Sequence, residues 1–212
     1  MTTKRELLLH PVITKINQSG FSNLKMDDFI KIMPASRSTV YRYFSSRETI
    51  IEAVVDEYIN YIDQFKVPQS KTTETECVIG FQKLLEQAIV FNGELNPLFL
   101  NDLKIEFPAE FNRLQNSIIK HDSEAKHFYI NGQKNQFFNQ QDIQLWILQD
   151  KVMIPKLLDP QFLFVNNLTL KKALTNYATM KAQQVLVPTL LPKFDLTFLN
   201  PIVKKISQRY SN

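Results

Sequence analysis

The stretch Ser36-Arg37-Ser38-Thr39-Val40-Tyr41-Arg42-Tyr43-Phe44 decides how this chain is read. It crowds hydroxyls, guanidiniums and phenols into one short segment, with Val40 as the sole aliphatic residue. Two turns of helix carrying those groups on one face could meet phosphates and base edges together. The flanks suit that purpose: Gly20-Phe21 lies upstream, a short amphipathic run follows, and Ser45-Ser46-Arg47-Glu48 opens another helix. A polar helix held between apolar ones is the pattern of a helix-turn-helix DNA reader.

Upstream, Leu8, Val12 and Ile16 form an i, i+4 ladder with Ile13 alongside, which predicts a first helix over 5–18. Pro11 lies inside it, so the helix is expected to kink or to start late. Ser19-Gly20 ends it, with Gly20 as a left-handed C-cap. Asn23 is the expected cap of a second helix, whose positive end suits Asp27 and Asp28 and whose core face is Phe29, Ile30, Ile32 and Met33. Met33-Pro34 ends that helix, because a residue before proline avoids the α region. Ser36 caps the third helix, 37–43, with Val40 and Phe44 turned to a core that holds Phe21 and Phe29. Ser45-x-x-Glu48 has capping-box spacing for a fourth helix over about 46–65, with Ile50, Val54, Tyr58 and Ile62 spaced by four.

Downstream, Val67–Thr73 reads as a break. Helices are then expected over Glu74–Phe91, Pro97–Phe107, Pro108–Gly132, Asp142–Leu158, Leu170–Val187 and Pro201–Tyr210. Only four glycines in 212 residues, with 44% apolar and 22% charged residues, argue for long helices and an all-α class. The single cysteine, Cys77, allows no intrachain disulfide and fits a reducing compartment. Among Val78 and Ile79 it reads as a buried, inert thiol. Leu7-Leu8-Leu9 is broken by His10-Pro11, too short for a signal peptide, and no stretch approaches the ~18 apolar residues of a membrane span. A cytoplasmic protein without a membrane partner is expected.

Charge is placed unevenly. Residues 1–47 carry eight basic side chains against Glu6, Asp27 and Asp28, a net +5 in a chain whose total is +4. A basic excess confined to the segment with the polar helix is the electrostatic footprint that phosphates require. Catalysis has no comparable signal: no Gly-rich phosphate loop, nucleophile elbow or carboxylate pair stands out. His121 and His127 are six apart, off the i, i+4 register of a metal site, so no metal, cofactor or enzyme activity is assigned. Sixteen phenylalanines, many within 91–164, fit either a packed helical core or an apolar effector pocket. For the pocket, Phe99, Phe107, Phe128 and Trp146 are the candidate lining residues, and a small hydrophobic or amphipathic effector would suit them.

From Gly20 to Arg47 the chain resembles the tetracycline-repressor (TetR) family of one-component bacterial regulators. The shared pattern is Gly-Phe/Tyr after a first helix, a second helix, a tight turn, Ser-x-x-Thr-φ-Tyr-x-x-Phe and a basic residue opening helix four. Here it reads Gly20-Phe21, Met26 to Lys31, Ser36 to Phe44 and Arg47-Glu48. Asn96-Pro97-Leu98-Phe99, Phe107-Pro108 and a Gly-x-x-x-x-Phe turn at Gly132–Phe137 resemble the family's effector domain more loosely. Three positions depart from the pattern. Pro34 stands where the family has a turn glycine, so the turn is made differently or the second helix ends earlier. Leu24 replaces a phosphate-contacting threonine, for which Lys25 could substitute. Pro11 replaces a small helix-interior residue.

The resemblance implies a helix-turn-helix DNA-binding domain over 1–47, a connecting helix at 46–65, and a helical ligand-binding and dimerisation domain over 68–212. Arg37, Ser38, Thr39 and Arg42 are the expected base or phosphate readers, Arg37 or Arg42 bidentate to guanine. Ser36 combines capping with a phosphate bond, Tyr41 takes the family's phosphate role, and Arg47 reinforces a phosphate near a helix N-terminus. The partners implied are a double-stranded, pseudo-palindromic DNA operator and a second copy of the chain, joined through helices near 142–158 and 170–187. The function implied is a ligand-responsive repressor. The alternative is a non-enzymatic, ligand-binding or protein-interaction dimer whose DNA reader is degenerate, which Pro34 and Leu24 motivate.

Overall fold

A computed structural model describes residues 3–67 and 73–210. The fold is all-α, with an N-terminal helix-turn-helix arrangement and a larger helical part. Eleven α-helices and two 3-10 segments occur among the described residues, and the sole β feature is an isolated Phe138–Leu186 bridge. They group into two compact units. The first takes residues 1–64 and 94–119, the second residues 65–93 and 120–212. Residues 94–119 therefore pack with the N-terminal helices, whereas the sequence reading placed them in the 68–212 domain. Most of the expected break at 67–73 lies outside the described residues.

In the first unit, α1 (Lys4–Ser19) starts with a reciprocal capping box. The Glu6 N–H donates to Thr3 Oγ1 and the Thr3 N–H to Glu6 Oε2. The helix runs unbroken past Pro11, seven residues after its start, and buries Leu8, Leu9, Val12 and Ile16. Gly20 ends it with φ +69° but ψ −168°, a positive-φ extended residue in place of the expected left-handed cap. For α2 (Met26–Ile32), the cap is Lys25 instead of Asn23: the Asp28 carboxylate accepts the Lys25 N–H at 3.1 Å.

The turn after α2 is built on Pro34. Met33 is extended, and the Ala35 N–H donates to the Met33 carbonyl at 2.8 Å. That is a three-residue turn closed around proline, whose ring fixes the negative φ such a turn uses and which has no N–H to leave unpaired. Pro34 thus replaces the turn glycine with a different turn. Ser36 then caps α3 (Arg37–Tyr43), its Oγ accepting the Thr39 N–H at 3.3 Å. The α4 helix (Arg47–Gln64) begins with Ser46 and Thr49 paired reciprocally, one register on from the expected Ser45–Glu48 box. Ile50, Val54, Tyr58 and Ile62 are buried as their spacing predicts.

The remainder of this unit is α6 (Pro97–Glu106) and the start of α7 (Pro108–Lys134). Phe21 is sandwiched by Phe99 and Phe107, with ring centroids 5.8 and 5.9 Å away, and Tyr58 lies 5.1 Å from Phe99. Phe21, Phe99 and Tyr58 join Leu8, Phe29, Val40 and Phe44 as buried residues of the unit, while Phe107 is partly buried.

The second unit holds α5 (Glu74–Glu94), the rest of α7, α8 (Ile143–Leu157), α9 (Pro160–Val165), α10 (Leu170–Val185) and α11 (Leu199–Tyr210). Its core gathers Phe81, Phe128, Tyr129, Phe138, Trp146, Leu174 and Tyr177. Cys77 lies in the same core, and burial pushes its thiol up to about 11. Gly132 is required here by space: a Cβ would stand 2.1 Å from the Phe138 ring. No described helix is long and apolar enough to cross a membrane.

Candidate nucleic-acid interface

The two faces of α3 differ in chemistry. Val40 and the following Phe44 are both 0% exposed and pin the helix to the core. Arg37, Ser38, Tyr41, Arg42 and Tyr43 all stand exposed around the rest of the helix. Arg37/Tyr41 and Ser38/Arg42 are i, i+4 rows, so four of these groups lie side by side. The Arg37 guanidinium sits 5.7 Å from the Tyr41 ring, and that of Arg42 sits 5.4 Å from the Tyr43 ring. Stacking of this kind splays planar donors outward over a surface.

Arg37 also meets Asp27 at 2.9 Å, with both side chains more than half exposed. An exposed pair of this sort is worth at most about 1 kcal/mol, so a phosphate or a guanine edge can take the guanidinium over. Lys25 is exposed at the start of α2. Ser36 and Thr39 are tied together, their hydroxyls 2.9 Å apart, and Ser38 Oγ lies 3.1 Å from Ser36 Oγ. The hydroxyls are thus organised first as a cap.

Arg47 is placed differently from the other sequence-predicted contacts. Its side chain is only 19% exposed and points inward. Nε donates to the Leu24 carbonyl at 2.8 Å and Nη2 to the Phe21 carbonyl at 3.1 Å, and Nη2 pairs with Glu106 at 2.8 Å. The guanidinium also lies over the Phe21 and Phe107 rings, at 5.4 and 5.6 Å. Across the same α1–α2 loop, Asp102 accepts the Phe21 N–H at 2.7 Å and the Ser22 N–H at 3.1 Å. These bonds hold the Asp102 carboxyl below its usual range against the opposing effect of burial. Gly20 makes room for that carboxylate, since a Cβ there would lie within 2.4 Å of Asp102 Oδ2. Two carboxylates of α6 therefore fix the loop that leads into α2.

The second unit contains a partly open cavity of about 50 Å³, or about 460 Å³ with its mouth. It is walled by Leu84, Ala88, Phe91 and Asn92 of α5, His121, Asp122, Ala125 and Tyr129 of α7, and Ile147, Asp150 and Lys151 of α8. The four aromatic residues expected at an effector pocket do not line it. Phe99 and Phe107 pack around Phe21 in the first unit, while Phe128 packs on Phe138 at 5.5 Å and Trp146 on Tyr129 at 5.3 Å. Their size commits them to the core.

Behind the cavity lies a network that the sequence reading missed. Lys181 is 0% exposed, and its ammonium pairs with Asp150 at 3.0 Å and bonds the Trp146 carbonyl. The Tyr177 hydroxyl donates to the same Asp150 oxygen at 2.6 Å. Burial raises the Asp150 carboxyl and lowers the Lys181 ammonium, outweighing their mutual attraction in both. A signal existed: Lys181 falls on the α10 stripe of Leu174, Tyr177, Ala178 and Val185, all buried. Among the described residues no group of acidic, histidine or cysteine side chains is arranged to hold a metal.

No family model matches the chain. It is 32% identical over 92 residues to YvaF of Bacillus subtilis (strain 168), an uncharacterized HTH-type transcriptional regulator. That match takes in 42% of this chain, and the chain spans about half the length of the curated relative, 46%. A crystal structure from a Rhodococcus species, of a protein provisionally described as a TetR-family transcriptional regulator, shares the fold. Its TM-score is 0.53 at 16% identity, over 92% of this chain and 98% of that one. The chain is thus similar over part of its length to a helix-turn-helix regulator, at 32% identity, and shares the fold of a TetR-type protein at 16%.

Proposed function

We propose that the protein is a sequence-specific, double-stranded-DNA-binding transcriptional regulator that acts as a homodimer and responds to a small hydrophobic or amphipathic effector as a repressor. The observation that carries this reading is α3 itself. A short helix fixed by a fully buried Val40 and Phe44 presents Arg37, Ser38, Tyr41, Arg42 and Tyr43 to solvent, in a segment of net positive charge. Major-groove readers need such a rigid back and such a donor-rich front. Arg37 and Arg42 read guanine edges, and Lys25 and Tyr41 hold phosphates. Pro34 does not weigh against a working reader, because the turn it makes leaves α3 capped and packed.

The dimer is supported by α8, which has two apolar faces. One buries Ile143, Trp146, Ile154 and Leu157; the other leaves Leu145, Leu148 and Val152 exposed at 63%, 54% and 62%. Phe164 and Val165 of α9 and Met180 of α10 add to the exposed apolar side chains of the second unit. A second copy is the occupant that a two-fold operator demands, since two recognition helices must meet successive major grooves about 34 Å apart. Ligand in the cavity then regulates by favouring a conformer in which the two helices no longer match that spacing.

DNA binding is tested by fluorescence anisotropy against random and genomic duplexes at several salt concentrations. The intact protein is expected to weaken steeply as salt rises. Arg37→Ala and Tyr41→Ala are each expected to lose selectivity, with a penalty of about 1–3 kcal/mol at the operator. Retention of operator affinity by both variants overturns the assignment of α3 as the reader. Sedimentation velocity tests the dimer: Leu148→Glu with Val152→Glu is expected to give a folded monomer with operator affinity at least about 100-fold weaker, two buried charges costing several kcal/mol. An unchanged sedimentation coefficient places the interface elsewhere.

A further inference from the structure

The cavity in the second unit has an apolar body and a polar floor. Leu84, Ala88, Phe91, Ala125 and Ile147 supply hydrocarbon, and Phe91 stacks with His121, their ring planes 24° apart. At the floor lies Tyr129, which is 2% exposed. Asp150 uses one oxygen, Oδ1, for both Tyr177 and Lys181. The two groups are close enough that the Asp150 charge, after burial, helps to hold the Tyr129 phenol well above its usual range. His121 Nε2 is buried and unpartnered.

A buried polar atom in this state, His121 Nε2, costs free energy until something bonds it. A hydroxyl offered by a ligand would meet two polar groups of the lining at once, donating to Asp150 and accepting from the Tyr129 hydroxyl. Charge narrows the ligand further. Asp150 is balanced by Lys181 and Asp122 by Lys151, pairs whose sum is zero whichever partner holds the proton. His121 is kept neutral by burial, which lowers its pKa. A cation or an anion entering this site would bring an uncompensated charge into a desolvated space, whereas a neutral molecule would not.

We propose that the cavity takes a small, uncharged aromatic molecule with one hydroxyl, a simple phenol, its ring among Phe91, Leu84 and Ile147 and its hydroxyl between Tyr129 and Asp150. The inference rests on the reading of the second unit as the effector-binding part of a regulator. The enclosed volume, about 50 Å³, is smaller than the ~150 Å³ that takes a benzene ring, so the ring extends into the open mouth and nothing larger than one ring is accommodated.

The test uses the full-length protein and four probes of one skeleton: p-cresol, toluene, 4-methylbenzoate and 4-methylbenzylammonium, titrated by calorimetry at pH 7. Binding of p-cresol is expected to be at least 10-fold tighter than that of the other three. Tyr129→Phe is expected to bring p-cresol down to the toluene level while leaving toluene unchanged. Tighter binding of either ion, or equal binding of toluene and p-cresol, overturns the proposal, as does failure of all four to bind. Operator binding is measured on the same samples without probe. If the operator is bound and no probe is, the cavity is plain core and the DNA-reading proposal stands. If p-cresol binds as expected and no DNA does, the ligand class stands and the regulatory reading falls.

Discussion

Replacing Lys181 by methionine is expected to lower the stability of the fold by about 3–5 kcal/mol, the cost of leaving a buried carboxylate without its counter-charge. The volume is nearly kept, so the loss reports charge and hydrogen bonding in place of a void. Asp150 would retain the Tyr177 hydroxyl and lose its cation, while the Trp146 carbonyl would lose its donor. Adding Asp150→Asn removes the orphaned charge and keeps an acceptor for Tyr177. The double variant is therefore expected to recover most of the loss, a coupling visible in a double-mutant cycle. Urea unfolding followed by the single tryptophan, Trp146, at fixed protein concentration measures both. The sign with pH follows from Asp150, whose folded pKa lies above its unfolded value. Protonation is favoured in the fold, so the deficit of Lys181→Met is smaller at pH 5 than at pH 8. A loss under about 1 kcal/mol, or one that grows on acidification, rules this account out.

Arg47→Ala is expected to destabilise the first unit by about 2–4 kcal/mol without changing the salt slope of DNA binding. The guanidinium satisfies two carbonyls and Glu106 in a half-buried cage of aromatic rings, and alanine leaves all three groups short of a donor. Lysine cannot repair this, because one ammonium does not reproduce the fork that spans Leu24, Phe21 and Glu106. A phosphate contact behaves in the opposite way: its removal lowers the slope by about 1 and leaves the fold intact. The same pair of measurements on Lys25→Ala serves as the comparison. Should Arg47→Ala keep full stability and lose slope, the side chain leaves its cage on DNA and belongs to the interface after all.

Arg47 also shows where sequence reasoning stops. From the chain alone it is a basic residue near a helix start, and its hydrogen-bond and ion-pair partners are 23 to 59 positions away in sequence. Local chemistry was legible wherever the deciding partner was near: the Ser36 cap, the limits of α3, and the i, i+4 core of α4 all follow from residues within one or two turns. The cap of α2 went to Lys25 over Asn23 because the Asp28 carboxylate three residues on accepts the Lys25 N–H, which outweighs side-chain type at the cap itself. The short α9 was not foreseen, since Pro160–Val165 is too brief to show a helical period. At the cavity, abundance misled. Large rings such as Phe99 and Phe107 signal burial before they signal a binding wall, and the polar floor is marked instead by charges on otherwise apolar stripes.

Pro34 has an effect that begins before the chain is folded. Its ring already restricts φ in the disordered polypeptide, so fewer conformers remain to be given up when the reading head forms. Where a glycine would supply turning ability through freedom, this chain supplies it through restriction. The hinge between the second and third helices is therefore stiff by covalent geometry, and α3 depends less on distant packing to keep its direction.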